Sequence, residues 1–244
     1  MENKTGKYLK YAAGEIFLVV VGILIALQIN NWNEGRKNNE LVKVYCQQLS
    51  DDLLVDLEVL DLTMSRLDEV DEMGMYLLNF LNNKLEVVDT LKLKTSLLLS
   101  ASAFAFSPNQ LAYDDLIQSG NINLLKDKDL KKLLGRYYTV SSIEKENDDQ
   151  RIRYSAELAD SRFKHINPLM LRENLKRALN YEKETAIPID SYYVNWEALK
   201  SDKDYILKLG RVLAIQIPQK AEMSSEKWNI REILELMDNN ILKK

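Results

Sequence analysis

The chain has 244 residues, 46% of them hydrophobic and 29% charged, with a formal net charge of −4. That acidic balance gives a nucleic-acid partner no electrostatic support, and a single cysteine, Cys46, excludes an intrachain disulfide. Only 8 Gly and 4 Pro interrupt a composition rich in Leu, Lys, Glu and Asp, which points to long helices and an all-α fold.

Residues 11–29, YAAGEIFLVVVGILIALQI, form the one segment that reads as a membrane span. The uninterrupted apolar run from Ile16 to Leu27 is short, roughly 18 Å of helix, but extension to Tyr11 and Ile29 supplies the roughly 20 residues that a bilayer core requires. Its eleven Ile, Leu, Val and Phe residues contribute roughly −3 to −7 kcal/mol, against about +2.5 to +3.5 for a central acid such as Glu15. Insertion wins. A cleaved signal peptide and a buried helix of a soluble domain are the rivals. Leu27 and Gln28 stand where a signal peptidase wants small residues, so the features favour an uncleaved signal anchor.

Lys7 and Lys10 abut the span directly, whereas Gln28, Asn30, Asn31, Trp32 and Asn33 precede Arg36, Lys37 and Lys43 on the other side. The charge rule then predicts a cytoplasmic tail (1–10), a transmembrane anchor (11–31) and an exported helical domain (32–244), which is periplasmic if the membrane is a bacterial inner one. Glu15, Gly22 and Ala26 lie seven and four residues apart and share one face of the span. Gly22 and Ala26 make a small-x-x-x-small pair that admits a close-packed helix. Glu15 either belongs to that contact or reaches the headgroup region. The three are the candidate helix–helix interface, with self-association or an envelope protein as partner alongside the lipid bilayer.

Beyond the span, apolar residues from Leu49 to Leu81 recur at intervals of three and four, the signature of one long helix that continues from the membrane and ends at Asn82-Asn83. Cys46 reads as a small core residue on it, or as an intermolecular disulfide close to the membrane. A buried helix is expected over residues 90–105. Ser107 then reads as N-cap and Pro108 as first residue of the next helix, which Gly120 stops in a left-handed conformation. Asp127 opens a helix through Leu130, Leu134, Tyr137 and Tyr138. The polar run 144–151 has no apparent core face, so the helix projects into solvent there or breaks. It resumes with Ile152, Ala156, Ala159, Phe163 and Ile166 until Pro168. One more helix over 169–181 and a loop over 187–190 follow. Ser201 is read as the cap of a helix carrying Ile206, Leu209, Leu213 and Ile217, which Pro218 kinks or ends. The final helix carries Trp228, Ile233, Leu236, Met237 and Ile241. The expected architecture is an irregular bundle of roughly six to eight helices behind one membrane anchor.

Two segments carry a resemblance. Gly14-Glu15-Ile16 with residues 22–33 (GILIALQINNWN) resembles the N-terminus of an uncharacterised family common in flavobacteria and other Bacteroidota. Tyr113-Asp114-Asp115-Leu116, Ser119-Gly120-Asn121, Leu130 and Tyr137-Tyr138 resemble the central motif of the same family. Gly35 departs from it, where another acid is expected. The resemblance implies a single-pass inner-membrane protein and supplies no catalytic residue.

Chemistry has little material. His165 is the sole histidine, which argues against a zinc site or a serine–histidine relay and reads as a structural residue at a helix end. No phosphate-binding, dinucleotide-binding or nucleophile-elbow motif occurs. No catalytic, cofactor-binding or metal residue is therefore assigned, and an enzyme is not expected. The densest charge lies between residues 50 and 83, where Asp51, Asp52, Asp56, Glu58, Asp61, Asp68, Glu69, Asp71 and Glu72 face Arg66 alone. That face reads as solvated and partly neutralised by the basic stretches 126–136 and 151–177. The sharper reading is loose binding of a divalent cation or a basic partner by acids four apart, such as Asp52 with Asp56 and Asp68 with Glu72. The function that fits is a non-enzymatic interaction or accessory module of the cell envelope. A ligand-sensing domain that signals through a membrane partner is the alternative.

Overall fold

The computed structural model describes residues 4–167 and 193–242. Helix α1 spans Lys4–Leu81 without a break, 78 residues, or about 117 Å at about 1.5 Å per residue. It holds no proline, and Asn83 stops it by turning left-handed at φ 55°. The last turn is closed by the Asn82 and Lys84 N–H groups, which donate to the Leu78 and Asn79 carbonyls.

The two halves of α1 have opposite environments. From Tyr45 onward Cys46, Leu49, Leu53, Leu60, Leu67, Val70, Leu77 and Leu81 are buried. Over the apolar N-terminal part the chain covers nothing: the most apolar window has a mean hydropathy of 2.4 and is 0% buried. It is the one helix among the described residues long and apolar enough to cross a membrane. A core helix of a soluble domain would be covered.

Asp89 caps α2 (Thr90–Leu99) by accepting the Leu91 and Lys92 N–H groups, each at 2.9 Å. The helix is shorter than the 90–105 expected. Arg162 donates to its last-turn carbonyls at Leu97 (3.4 Å) and Leu98 (3.0 Å), placing a cation where a helix C-terminus favours one. The chain then continues without helix to Gln110, packing Phe104 and Phe106 into the core. Helix α3 is Leu111–Gln118, so Ser107 and Pro108 lie before it rather than capping it. Gly120 at φ 74° ends it as expected and leads into a 3₁₀ turn, Asn121–Leu124.

Helix α4 runs Lys128–Ser161 from its cap Asp127, which accepts the Asp129 and Leu130 N–H groups at 2.9 and 3.0 Å. It passes through 144–151 unbroken. A 3₁₀ turn (Arg162–Lys164) follows, and Ile166 pairs with Val194 in an isolated antiparallel bridge. The expected helix 169–181 and loop 187–190 lie outside the described residues.

Asn195 caps the short α5 (Trp196–Ser201). Asp202, not Ser201, caps α6 (Lys203–Met237) by accepting the Tyr205 N–H at 3.0 Å. Pro218 does not end α6. The carbonyl that loses its helical partner belongs to Ala214, which is exposed and can bond water. A π turn, Asp238–Leu242, closes the described chain. Ile217 and Trp228 are 73% and 59% exposed, so neither belongs to the core face expected of them; Ile233 and Met237 lie on it as expected, and Met223 and Ile230 join them.

The residues fold as an all-α bundle, with no strand among those described. Helix α6 lies antiparallel to α1 and to α4 and packs along both. Two apolar clusters stack along α1. The one nearer the apolar N-terminal segment joins Leu49, Leu53 and Leu60 to α3, the start of α4 and the end of α6. The far one joins Leu77 and Leu81 to α2, Leu158 and the start of α6. At Gly74 the helices meet so closely that a Cβ would stand 2.6 Å from Leu213 Cδ2.

Candidate functional site

Asp52 and Asp56 fall on the same stripe of α1 as Leu49, Leu53 and Leu60, and there they organise the domain. Asp56 is 2% exposed. It accepts the Asn109 N–H (3.0 Å) and the Tyr137 hydroxyl (2.9 Å). Asp52 accepts Asn109 Nδ2 (2.7 Å) and the Ala112 N–H (3.2 Å). Ala112 is the second residue of α3, so a carboxylate of α1 caps this helix from outside. That replaces the local cap expected from Ser107.

Two turns before Asp52 on the same face, the Tyr45 hydroxyl donates to Asp115 Oδ2 (2.8 Å), accepts from Asn121 Nδ2 (3.0 Å) and lies 3.3 Å from Ser119 Oγ. Tyr113 stacks on Tyr138 with centroids 4.2 Å apart, and Tyr138 meets Tyr137 edge-on at 4.9 Å. The motif residues Tyr113, Asp115, Ser119, Asn121, Tyr137 and Tyr138 thus converge on Tyr45, Asp52 and Asp56. Burial pushes the Asp56 carboxyl above the ordinary range. The Asn109 N–H and the Tyr137 hydroxyl only partly offset this, and the Asp52 carboxylate adds to the rise. Burial likewise drives the Tyr137 and Tyr138 phenols upward, with Asp56 next in importance.

Four of the remaining acids of α1 are paired, and among the described residues their partners lie outside the stretches expected. Lys220 of α6 lies 2.6 Å from Asp68 and 3.7 Å from Asp71, Lys227 pairs with Asp61, and Lys92 of α2 lies 2.8 Å from Glu72. The stretch 126–136 forms no ion pair with α1 among the described residues. Arg151 serves a different purpose. It bonds Asp148 at 2.7 Å and also Glu222, joining α4 to α6 in a nearly buried triad. The run 144–151 therefore has a core face, and it is ionic.

N–H and O–H donors point at Asp52 and Asp56, where a cation would need free oxygens. Among the described residues no group of three or more His, Cys, Asp or Glu side chains is arranged to hold a metal ion. His165 stands just past the 3₁₀ turn, with Nε2 2.8 Å from Asp202 Oδ2, the carboxylate that caps α6. Burial alone would raise the Asp202 carboxyl, but the Tyr205 N–H, His165 and Lys164 together hold it below the ordinary range. Cys46 is fully buried, and burial pushes its thiol up to about 11, consistent with a core residue.

Glu15, Gly22 and Ala26 are all exposed on the uncovered part of α1, and a Cβ added at Gly22 would meet nothing within 4 Å. They share a face as expected and are remote from the polar cluster.

A family model described as a family of unknown function (DUF6090) matches residues 15–195. The matched stretch takes in the apolar segment, Asp52, Asp56 and the whole α3–α4 motif, and stops before α5. No curated protein and no solved structure matches the chain.

Proposed function

Since the chain belongs to the family of unknown function DUF6090, we propose that it is a membrane-anchored, non-enzymatic helical module of the cell envelope that works by binding other proteins. The carrying observation is the division of α1: an apolar segment that the chain leaves wholly uncovered continues as the spine of a well-packed domain. In water that segment would expose Ile16, Phe17, Leu18, Ile23, Leu24 and Ile25, each more than half accessible; in a bilayer the same surface is at home. With Lys7 and Lys10 against the span, the N-terminus is cytoplasmic and the domain periplasmic, at the inner membrane.

The polar groups support a binding role over catalysis. Asp52, Asp56, Tyr45 and Asp115 are committed to helix caps and cross-helix bonds rather than aimed into a cavity. Contact with a partner is assigned to the span face of Glu15, Gly22 and Ala26 and to the outer surface of the bundle. The unbroken α1 also favours a second reading, a ligand sensor that passes movement of its domain to a partner within the membrane.

Two measurements test the proposal. A C-terminal alkaline phosphatase fusion should be active in intact bacteria and the chain should resist carbonate extraction. An active cytoplasmic reporter at the same junction, or release by carbonate, would overturn the topology or the anchor respectively. Affinity capture from solubilised membranes should then recover a specific envelope protein or a second copy of the chain.

A further inference from the structure

Where the domain first meets α1, a cleft of about 710 Å³ opens between the α1 turns around Arg36 and Lys43 and the entry to α4 at Lys126. Three cations stand at its walls, and Val42, Leu124 and Ile241 supply an apolar floor. Glu40 and Asp127 also line it. Asp127 is turned to the first N–H groups of α4, which it caps. Among the described residues Arg36, Lys43 and Lys126 form no ion pair, and the neighbouring Lys37, Lys128 and Lys132 are exposed.

The place of this cleft along α1 decides what it meets. Trp32 is 71% exposed just after the apolar segment, the position at which aromatic residues mark the membrane–water boundary. Arg36 follows one turn later, about 6 Å along the axis, and Lys43 about 16 Å along it. A headgroup layer is about 5 to 8 Å deep on each side. Arg36 therefore stands among the phosphates. The Lys43 and Lys126 side chains can bend back to within about one Debye length, roughly 8 to 10 Å, of them.

Resting on the membrane-anchor reading above, we infer that this cleft is a site for the headgroup of an anionic phospholipid of the bilayer that holds α1. Arg36 takes the phosphodiester at the lip, Lys43 and Lys126 attract it from the walls, and the apolar floor receives the glycerol backbone. Clustered cations close to a membrane favour anionic over zwitterionic lipid, and an amphipathic cleft suits a molecule with a charged head and an apolar stem.

The full chain, reconstituted in nanodiscs of phosphatidylcholine alone or with about a third phosphatidylglycerol, can be released into the gas phase and its retained lipids counted by native mass spectrometry. The parent should keep phosphatidylglycerol in preference to phosphatidylcholine. The variant Arg36→Gln/Lys43→Gln/Lys126→Gln should lose that preference by about tenfold. A control at the far end of the domain, Lys84→Gln/Arg153→Gln/Lys203→Gln, should keep it. Equal retention of both lipids by an inserted parent, or unchanged preference in the cleft variant, would overturn the inference and leave the anchor standing. Failure to enter nanodiscs at all would sink the anchor, and the site with it. Millimolar glycerol 3-phosphate should not displace the retained lipid; if it does so fully, the cleft serves a soluble phosphate and the lipid assignment falls.

Discussion

Removing the Asp56 carboxylate should cost more than any surface change in the domain. In Asp56→Ala, the Asn109 N–H at 3.0 Å and the Tyr137 hydroxyl at 2.9 Å both lose their acceptor. The buried Tyr137 hydroxyl, left stranded, costs about 1 to 3 kcal/mol, and the part-buried Asn109 N–H, which water can reach, costs about 1 kcal/mol. Against that stands relief of the burial that raises the carboxyl's pKa, so the net loss should be about 1 to 3 kcal/mol. Tyr137→Phe leaves the Asn109 bond in place and should cost about 1.5 to 3 kcal/mol. The double variant should cost less than the two added together by about 1 to 2 kcal/mol. Asp56→Asn keeps the shape and can still accept one bond. The pH dependence has a definite sign. A carboxyl whose folded pKa is raised contributes stability that is present below its unfolded value and lost as pH rises through the folded one. Acidification through that window should therefore shift the difference between parent and Asp56→Asn in the parent's favour. Urea unfolding of the full chain in non-ionic detergent, followed by far-ultraviolet circular dichroism, measures the parent and all four variants. A loss below about 0.5 kcal/mol for Asp56→Ala, or strictly additive single effects, would refute the role assigned to this carboxylate.

Gly74→Ala should gain up to about 1 kcal/mol of helix propensity but lose about 1 to 3 kcal/mol to overpacking against Leu213. A net stabilisation in the same urea assay would show that α1 and α6 separate easily. Arg151→Ala leaves Asp148 and the Glu222 carboxylate facing each other and should destabilise by about 3 to 5 kcal/mol, whereas Arg211→Ala, in an exposed pair with Glu157, should cost at most about 1 kcal/mol; equal effects would contradict the burial difference. Gly22→Ile with Ala26→Ile should lower self-association or partner recovery in a transmembrane two-hybrid assay while the chain stays in the membrane fraction; unchanged association would mean that this face meets only lipid. Cys46 should react slowly with a maleimide until urea is added, because its thiol is buried and hard to ionise; rapid labelling of the folded chain would contradict its place in the core.

Local signals in the sequence were legible where a residue acts on its own neighbours. Gly120 at the left-handed stop, Asp127 at the cap of α4, Asn82-Asn83 at the end of α1 and the leucine stripe of α1 all work within a few residues. Errors arose where a distant partner supplied the missing group. Ser107-Pro108 has the pattern of a helix start, but the Ala112 N–H is taken by Asp52, some sixty residues earlier, and the Leu111 N–H by Asn109 Oδ1, so a cap from Ser107 is unnecessary. The run 144–151 looked devoid of a core face because its buried members are Asp148 and Arg151, whose burial depends on Glu222. Pro218 reads as a kink or an end, and of the two the end does not occur, because the residue falls on the wet side of α6 where a freed carbonyl costs little. The functional weight of Asp52 and Asp56 could have been found: both lie on the same stripe as Leu49, Leu53 and Leu60, and a carboxylate in a core stripe demands partners.

Because α1 passes from the apolar segment into the domain as a single helix, and each of residues 34–41 is exposed, the compass bearing of the domain over the bilayer is written in residue count. Each residue added there turns everything beyond it by about 100° and lifts it by about 1.5 Å. One inserted alanine would swing the cleft at Lys126 and the α6 surface away from whatever they face. Seven would return them to within about 20° of their bearing but about 10.5 Å higher. A partner that grips only the domain would tolerate both changes. One that touches membrane and domain together would tolerate neither.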